Sequence, residues 1–417
     1  MTATEPSLRR NFSWTLFGNM VFTLALFGVL VVLTRLGGAE VVGRFSLGSA
    51  IATPFIVLAN LQLRVLLVTD TSGAPAFGDY LGLRFLAQPL AVLLIALVAA
   101  VAYPGEQSVV IILFGLIKAV ESFSDLCYAF AQKHERIDLM ARSMMIRGPL
   151  AMVMTGGVFA WTRSLPAALG GWCLAWLLVL IFFDVPRCRN LARSRGVQSL
   201  APRWEWPTLR TIFWTALPMG FVMLLLQLRN TIPRTILEKS FGEAELGIFA
   251  NLSYLIIAGA TVVLALNQSS IARLSRYHAS GDRQRFSATV RKLVWVGLGL
   301  GVTGVLAAAL LGEIFLRILF TEEIAAHADV FVWIMVAGGI MFVATLLGAP
   351  VSAMRQFRAQ LWVYLANALF MLGLALWLIP LHGLYGAAWT ILGGSVWVVM
   401  AYGFLTWHGV RRMGDSP

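Results

Sequence analysis

Residues 11–64 read NFSWTLFGNMVFTLALFGVLVVLTRLGGAEVVGRFSLGSAIATPFIVLANLQLR. Two apolar runs, 12–34 and 46–68, flank a short charged, glycine-rich break from Arg35 to Phe45. A helix needs about 20 mostly apolar residues to cross a bilayer, because in hydrocarbon only an internally bonded helix or a closed barrel satisfies its own backbone. Both runs have that length, and neither alternates apolar with polar as barrel strands do. The rest of the chain repeats the pattern: 59% of its 417 residues are apolar and only 12% charged, with a mean hydropathy of +0.80. Soluble domains carry about 25% charged residues. The chain reads as an all-α integral membrane protein.

Working outward from 11–64, the spans fall at 12–34, 46–68, 81–103, 108–131, 143–161, 166–185, 211–233, 246–268, 291–312, 329–351, 360–380 and 384–407. The segment before the first span is short and polar, and that span lacks a small-residue cleavage site, so it is expected to stay in the mature protein. Assigning alternate loops to opposite sides places 21 Lys and Arg on the side of both termini and 6 on the other. The positive-inside rule makes the first side cytoplasmic, so a multi-pass membrane protein with both termini in the cytoplasm is expected. The same loops account for the net charge of +12 without any nucleic-acid partner. The longest connection, 186–210, carries Arg187, Arg189, Arg193, Arg195, Arg203 and Arg210 with Pro202 and Pro207. It reads as a cytoplasmic linker between six-helix halves 1–185 and 211–417.

The halves share a trace of repetition. Gly38, Gly43 and Phe45 match Gly242, Gly247 and Phe249 at a shift of 204, each set following the first span of its half. Trp14 and Arg35 have near-equivalents in Trp214 and Arg234. Both first spans leave the cytoplasm, so the halves are parallel repeats about an axis along the membrane normal, an arrangement found in transporters with a site between two lobes.

Charged side chains inside spans are costly and mark cavities or partners. In the fourth span Lys118, Glu121, Ser122 and Asp125 lie at i, i+3, i+4 and i+7, on one helical face. Lys118 can neutralise one of the two carboxylates, which leaves the other to repel it and points to a proton-coupling role for Lys118, Glu121 and Asp125. In the second span Asn60 and Arg64 fall on a narrow arc with Thr53, after Pro54. Asn19, Arg229 and Asn267 are further polar groups within spans, and each Asn can equally bond a neighbouring helix. Nothing in the chain forms a GxxxxGK[ST] phosphate loop, an HExxH helix or a Cys/His cluster, so no nucleotide site, metal or cofactor is expected. Cys127, Cys173 and Cys188 have no ligand spacing and are given no role.

Asn11-Phe-Ser-Trp14, Gly18-Asn19, Thr34-Arg35-Leu-Gly-Gly38, Val42-Gly43-Arg-Phe45, Leu61-Gln62-Leu63-Arg64 and Thr69-Asp70 resemble the polysaccharide transporter family. That family lies within the multidrug/oligosaccharidyl-lipid/polysaccharide (MOP) exporter superfamily. The textual match is clear over residues 8–90 and weaker over 211–275. The resemblance implies about twelve transmembrane helices in two six-helix lobes around a central cavity. It also implies alternating access that carries an undecaprenyl-diphosphate-linked oligosaccharide from the cytoplasmic to the periplasmic leaflet, with no enzymatic chemistry. Expected partners are that glycan, the bilayer, and a glycan polymerase or glycosyltransferases of the same pathway. On this reading Arg64 and Arg229, one per half, hold the diphosphate through paired hydrogen bonds, while Asn19, Asn60 and Asn267 meet sugar hydroxyls.

Three alternatives stand beside this reading. A multidrug or cation antiporter of the same superfamily would share the architecture; the span-four carboxylates favour it and arginine disfavours it. A major-facilitator transporter also has 6 + 6 helices, but the connection 70–80 lacks that fold's basic cluster. A multi-spanning glycosyltransferase would need acidic catalytic groups in a sizeable outer loop, and the outer loops are short.

Overall fold

A computed structural model describes residues 8–70, 76–197 and 199–413. The polar N-terminal residues 1–7 and positions 71–75 of the connection 70–80 weighed above lie outside that range. Every regular element within it is helical: α1 (Leu8–Asn60), α2 (Leu63–Thr69), α3 (Phe77–Ala102), α4 (Glu106–Lys133), α5 (Ile137–Thr162), α6 (Leu165–Val179), a π-helical turn (Leu180–Asp184), α7 (Val185–Ser194), α8 (Trp206–Phe241), α9 (Glu243–Tyr254), α10 (Ile256–Ala279), α11 (Arg283–Leu319), α12 (Glu322–Ala325), α13 (Ala328–Ala353) and α14 (Phe357–Arg412).

Eight stretches are long and apolar enough to cross a membrane, and the pair Glu243–Tyr254 and Gly259–Ala279, bent by 49°, makes a ninth. Twelve crossings follow once three features are added. α1 and α14, at 53 and 56 residues, each run about 80 Å at 1.5 Å per residue, enough for two crossings apiece. α4 is the twelfth, its apolar length interrupted by the charged face identified above. The chain is a multi-pass, all-helical membrane protein.

Where the sequence suggested open connections at 35–45 and 381–383, the helices run on and fold back at one residue each. Gly38 (φ 76°, ψ −176°) breaks α1, and Gly383 (φ 54°, ψ −125°) breaks α14. Gly242, the residue matched to Gly38, adopts φ 90° and ψ −175°. An L side chain rarely occupies this region, so both copies keep glycine at the same geometric demand. Two more connections agree at a shift of 220: Glu135 and Arg355 (φ 58° and 56°) after the fourth and tenth crossings, and Arg163 and Gly383 (both 54°) after the fifth and eleventh. The repetition faint in the text is explicit in the backbone.

The chain forms two compact units, residues 1–227 and 228–417. In the first, Leu126 and Phe130 of α4 pack with Leu63 and Leu67 of α2, Phe77 and Leu83 of α3, Leu191 of α7 and Leu209 and Ile212 of α8. In the second, Val343, Leu347 and Val351 of α13 pack against Val398 and Tyr402 of α14. Gly301 and Gly339 let α11 and α13 approach to backbone contact, the small-residue packing that lipid-embedded helices use in place of a hydrophobic drive.

Candidate functional site

The polar face of α4 organises the first unit. Lys118, Glu121, Ser122, Asp125, Tyr128 and Gln132 occupy an arc of about 120° at 3.6 residues per turn. Lys118 Nζ lies 2.8 Å from Glu121 Oε2. Arg64 Nη1 donates to Asp125 Oδ1 at 2.7 Å, while its Nε and Nη2 reach Gln132 Oε1 at 3.2 and 3.0 Å. Each carboxylate therefore has its own cation, and the unneutralised second carboxylate expected from sequence is not what the structure shows.

Asn60 and Arg64 are not on one continuous helix. Leu61 and Gln62 take φ values of 50° and 51°, ending α1 at Asn60 and starting α2 at Leu63. The wheel that put the two side chains on one arc does not apply across this break, yet the break delivers both to α4. Arg64 meets Asp125, and Asn60 Oδ1 accepts from Ser122 Oγ, from Arg84 Nη1 and, at 2.9 Å, from Gln88 Nε2. Arg84 also donates to Ser122 Oγ at 2.7 Å. It is wholly buried, and its Nε and Nη2 have no partner among the described residues.

A second buried arginine follows toward α5. Arg147 Nη1 donates to Tyr128 Oη at 3.1 Å, Tyr128 and Ser143 share a 2.7 Å hydroxyl contact, and the guanidinium stacks 4.1 Å above the Trp176 ring. Cation–π contact of this kind compensates part of the desolvation of a buried cation. Asp184, also buried, closes the π-helical turn, where Val185 N–H bonds back to Leu180 O. Pro186 follows and has no N–H to continue an α-helical ladder, the local cause of the wider turn. The Asp184 Oδ2 has no hydrogen-bond partner among the described residues. Arg84, Gln88, Arg147 and Asp184 were not among the expected site residues. Arg84 and Arg147 are visible in sequence as charges at span edges, but their partners lie 19 to 38 residues away and only the packing reveals them.

The remaining expected residues are more isolated. Asn19 Nδ2 donates to Thr15 O of its own helix at 2.9 Å, so one of its two amide protons is already used. In the second unit Arg229 is half-buried, and the hydrogen bond it makes there is to the Met341 thioether at 3.1 Å, a weak acceptor. Asn267 Oδ1 has no partner among the described residues. The first unit therefore matches its half-buried span charges internally, whereas the second presents an arginine without a carboxylate bond. Among the described residues no three His, Cys, Asp or Glu side chains come together as a metal site.

No protein-family model matches the chain. The capsular polysaccharide biosynthesis protein CapF of Staphylococcus aureus is 26% identical over 396 residues, covering 94% of this chain and 98% of CapF. Among solved structures, the lipid II flippase MurJ in an inward closed conformation superposes with a TM-score of 0.72 at 9% identity, covering 97% of this chain and 91% of MurJ. An inward-facing multidrug-resistance MATE transporter of the MOP superfamily gives 0.65 at 12% identity, covering 100% of this chain and 96% of the transporter. The resemblance read from the first ninety residues is borne out over nearly the whole length, and the fold is that of the MOP exporters.

Proposed function

We propose that the protein is a flippase that moves an undecaprenyl-diphosphate-linked oligosaccharide from the cytoplasmic to the periplasmic leaflet of the bacterial inner membrane by alternating access, in the synthesis of a cell-surface polysaccharide. The observation that carries this reading is the nearly end-to-end similarity to a capsular polysaccharide biosynthesis protein, on a fold shared with a lipid II flippase. The site chemistry supports it. Arg229, held within a span and bonded to a thioether, has donors to offer a diphosphate, and a guanidinium pairs with phosphate oxygens through two parallel bonds. Arg64 already holds Asp125, so it engages a headgroup by exchanging one anion for another. Lys118, Glu121 and Asp125, each held in an ion pair on the polar face of α4, are the groups proposed to link transport to protons. Asn267 provides its amide group for sugar hydroxyls, Asn19 retains its side-chain oxygen, and Asn60, with its Oδ1 taken by Arg84, Gln88 and Ser122, offers only its Nδ2. The glycan polymerase and glycosyltransferases of the pathway are the expected protein partners, and the chain itself catalyses no reaction.

The likeness to MATE transporters supports a second reading, a multidrug antiporter. An arginine without a bonded carboxylate is a poor host for a cationic solute, which favours the lipid-linked glycan. Deleting the gene should leave lipid-linked oligosaccharide accumulated on the cytoplasmic leaflet and the cell surface bare of glycan. Unchanged surface glycan in the deletion strain would defeat the reading.

A further inference from the structure

Within the first unit, α3, the second half of α1 and the first turns of α8 enclose an open groove of about 660 Å³. Small residues set its depth: Ala59, Ala87 and Ala91 leave room where Leu86, Leu90 and Leu94, all more than 40% exposed, stand as a rim at intervals of four residues along α3. Arg210 is the one charged side chain in its lining, and Trp206 and Trp214 flank it. A second recess, lined by Pro207, Arg210, Thr211, Trp214 and Thr215, shares Arg210 and Trp214 with the first. An apolar slot thus meets a polar cup at a guanidinium, with tryptophans placed as they are at membrane–water interfaces.

The groove is fixed by the linker. Arg203 N–H bonds Gly78 O at 2.8 Å, and a side chain at Gly82 would overlap the Arg203 carbonyl. These glycines pin the end of the linker on the first turns of α3 and hold the start of α8 alongside. The lining runs along α3 from Leu83 to Leu94, about 16 Å at 1.5 Å per residue. That equals half of the roughly 30 Å hydrocarbon core, the depth of one leaflet. The Lys/Arg distribution assigns the Arg210 end to the cytoplasmic leaflet, where anionic lipids are drawn to basic pockets between helices.

We infer that this groove is a binding site for an anionic phospholipid of the cytoplasmic leaflet, an acyl chain lying between α3 and α8 and the phosphate bonded to Arg210. This goes beyond the flippase reading and does not depend on transport. The test is native mass spectrometry of the full-length protein in detergent, offered equal amounts of dioleoyl phosphatidylglycerol, dioleoyl phosphatidylcholine and undecaprenyl phosphate. Wild type should retain phosphatidylglycerol about fivefold more than phosphatidylcholine, the factor expected for one basic contact. Arg210→Gln, an exposed change that spares the fold, should erase that preference, and Ala87→Leu should reduce retention of both phospholipids. Equal retention of the two by wild type, or a preference surviving Arg210→Gln, would overturn the assignment. Retention of undecaprenyl phosphate above phosphatidylglycerol would also overturn it, giving the groove to a prenyl tail instead.

Discussion

The two units treat charge within the membrane differently. In the first, Arg64 and Lys118 each meet a carboxylate at 2.7 to 2.8 Å, and Arg84 and Arg147 are sealed into buried networks with Asn60, Ser122, Tyr128 and the Trp176 ring. In the second, Arg229 rests against a thioether. A charge that is paired and buried mainly specifies structure, and removing one partner strands the other. A charge held without a counter-charge is stabilised by nothing the protein would lose, which suits it to a ligand that comes and goes. The difference separates charges already matched within their unit, which reach a substrate only by exchanging partners, from an arginine whose donors are not held by a carboxylate.

The largest effect is expected at Asn60. Its amide oxygen receives Arg84, Gln88 and Ser122, so Asn60→Leu should leave a wholly buried guanidinium short of an acceptor and destabilise the protein by about 3 kcal/mol, read from unfolding in detergent. A loss under about 1 kcal/mol would show that the network is slack. Next come Arg64 and Asp125, each about one-third exposed. Partial screening reduces the cost of either single substitution to about 2 kcal/mol, and a double-mutant cycle should recover a coupling of about 1 kcal/mol. Additive effects would mean that the pair is incidental.

Arg229→Met is expected to move stability by less than about 1 kcal/mol in either direction, because a well-packed apolar side chain can replace a poorly compensated cation without loss. A drop as large as that of Asn60→Leu would erase the contrast between the units. The smallest effect belongs to Asp138, ahead of the apolar part of α5. Arg136 donates to both its oxygens at 2.8 and 3.0 Å, and these bonds, partly offset by burial, hold its carboxyl below the usual range. A depressed folded value stabilises the protein above the ordinary carboxylate range, and that contribution fades as pH falls through the folded value. The small stability difference between wild type and Asp138→Asn should therefore be constant from about pH 5 to 8 and shrink as pH falls below about 4. A difference that varies within the neutral range would assign it to another group.

Much of this was legible in the sequence because lipid imposes a single-residue test. Twelve runs long enough to span and the Gly38/Gly242 match both survive in the helices and in the shared glycine geometry. The polar face of α4 was also readable, since i, i+3, i+4 and i+7 spacing holds on any uninterrupted helix. The break at Leu61 and Gln62 was not, because neither residue is a glycine and a left-handed φ there is fixed by packing. The pairing of the charges was hidden for a related reason. Arg64 finds Asp125 across 61 positions and Arg84 finds Ser122 across 38, distances over which periodicity carries no information. Asp184 needed the π-helical turn to place it.

Reconstitution reads the proposed lipid transport itself. Purified protein in vesicles loaded on one leaflet with a fluorescent undecaprenyl-diphosphate oligosaccharide should bring that lipid to the other leaflet faster than protein-free vesicles do. Arg229→Met should slow flipping at least tenfold while its unfolding midpoint stays at the wild-type value, the loss corresponding to one charge-assisted contact of about 1.4 kcal/mol. Flipping by wild type at the protein-free rate, or full activity in Arg229→Met, would contradict the account.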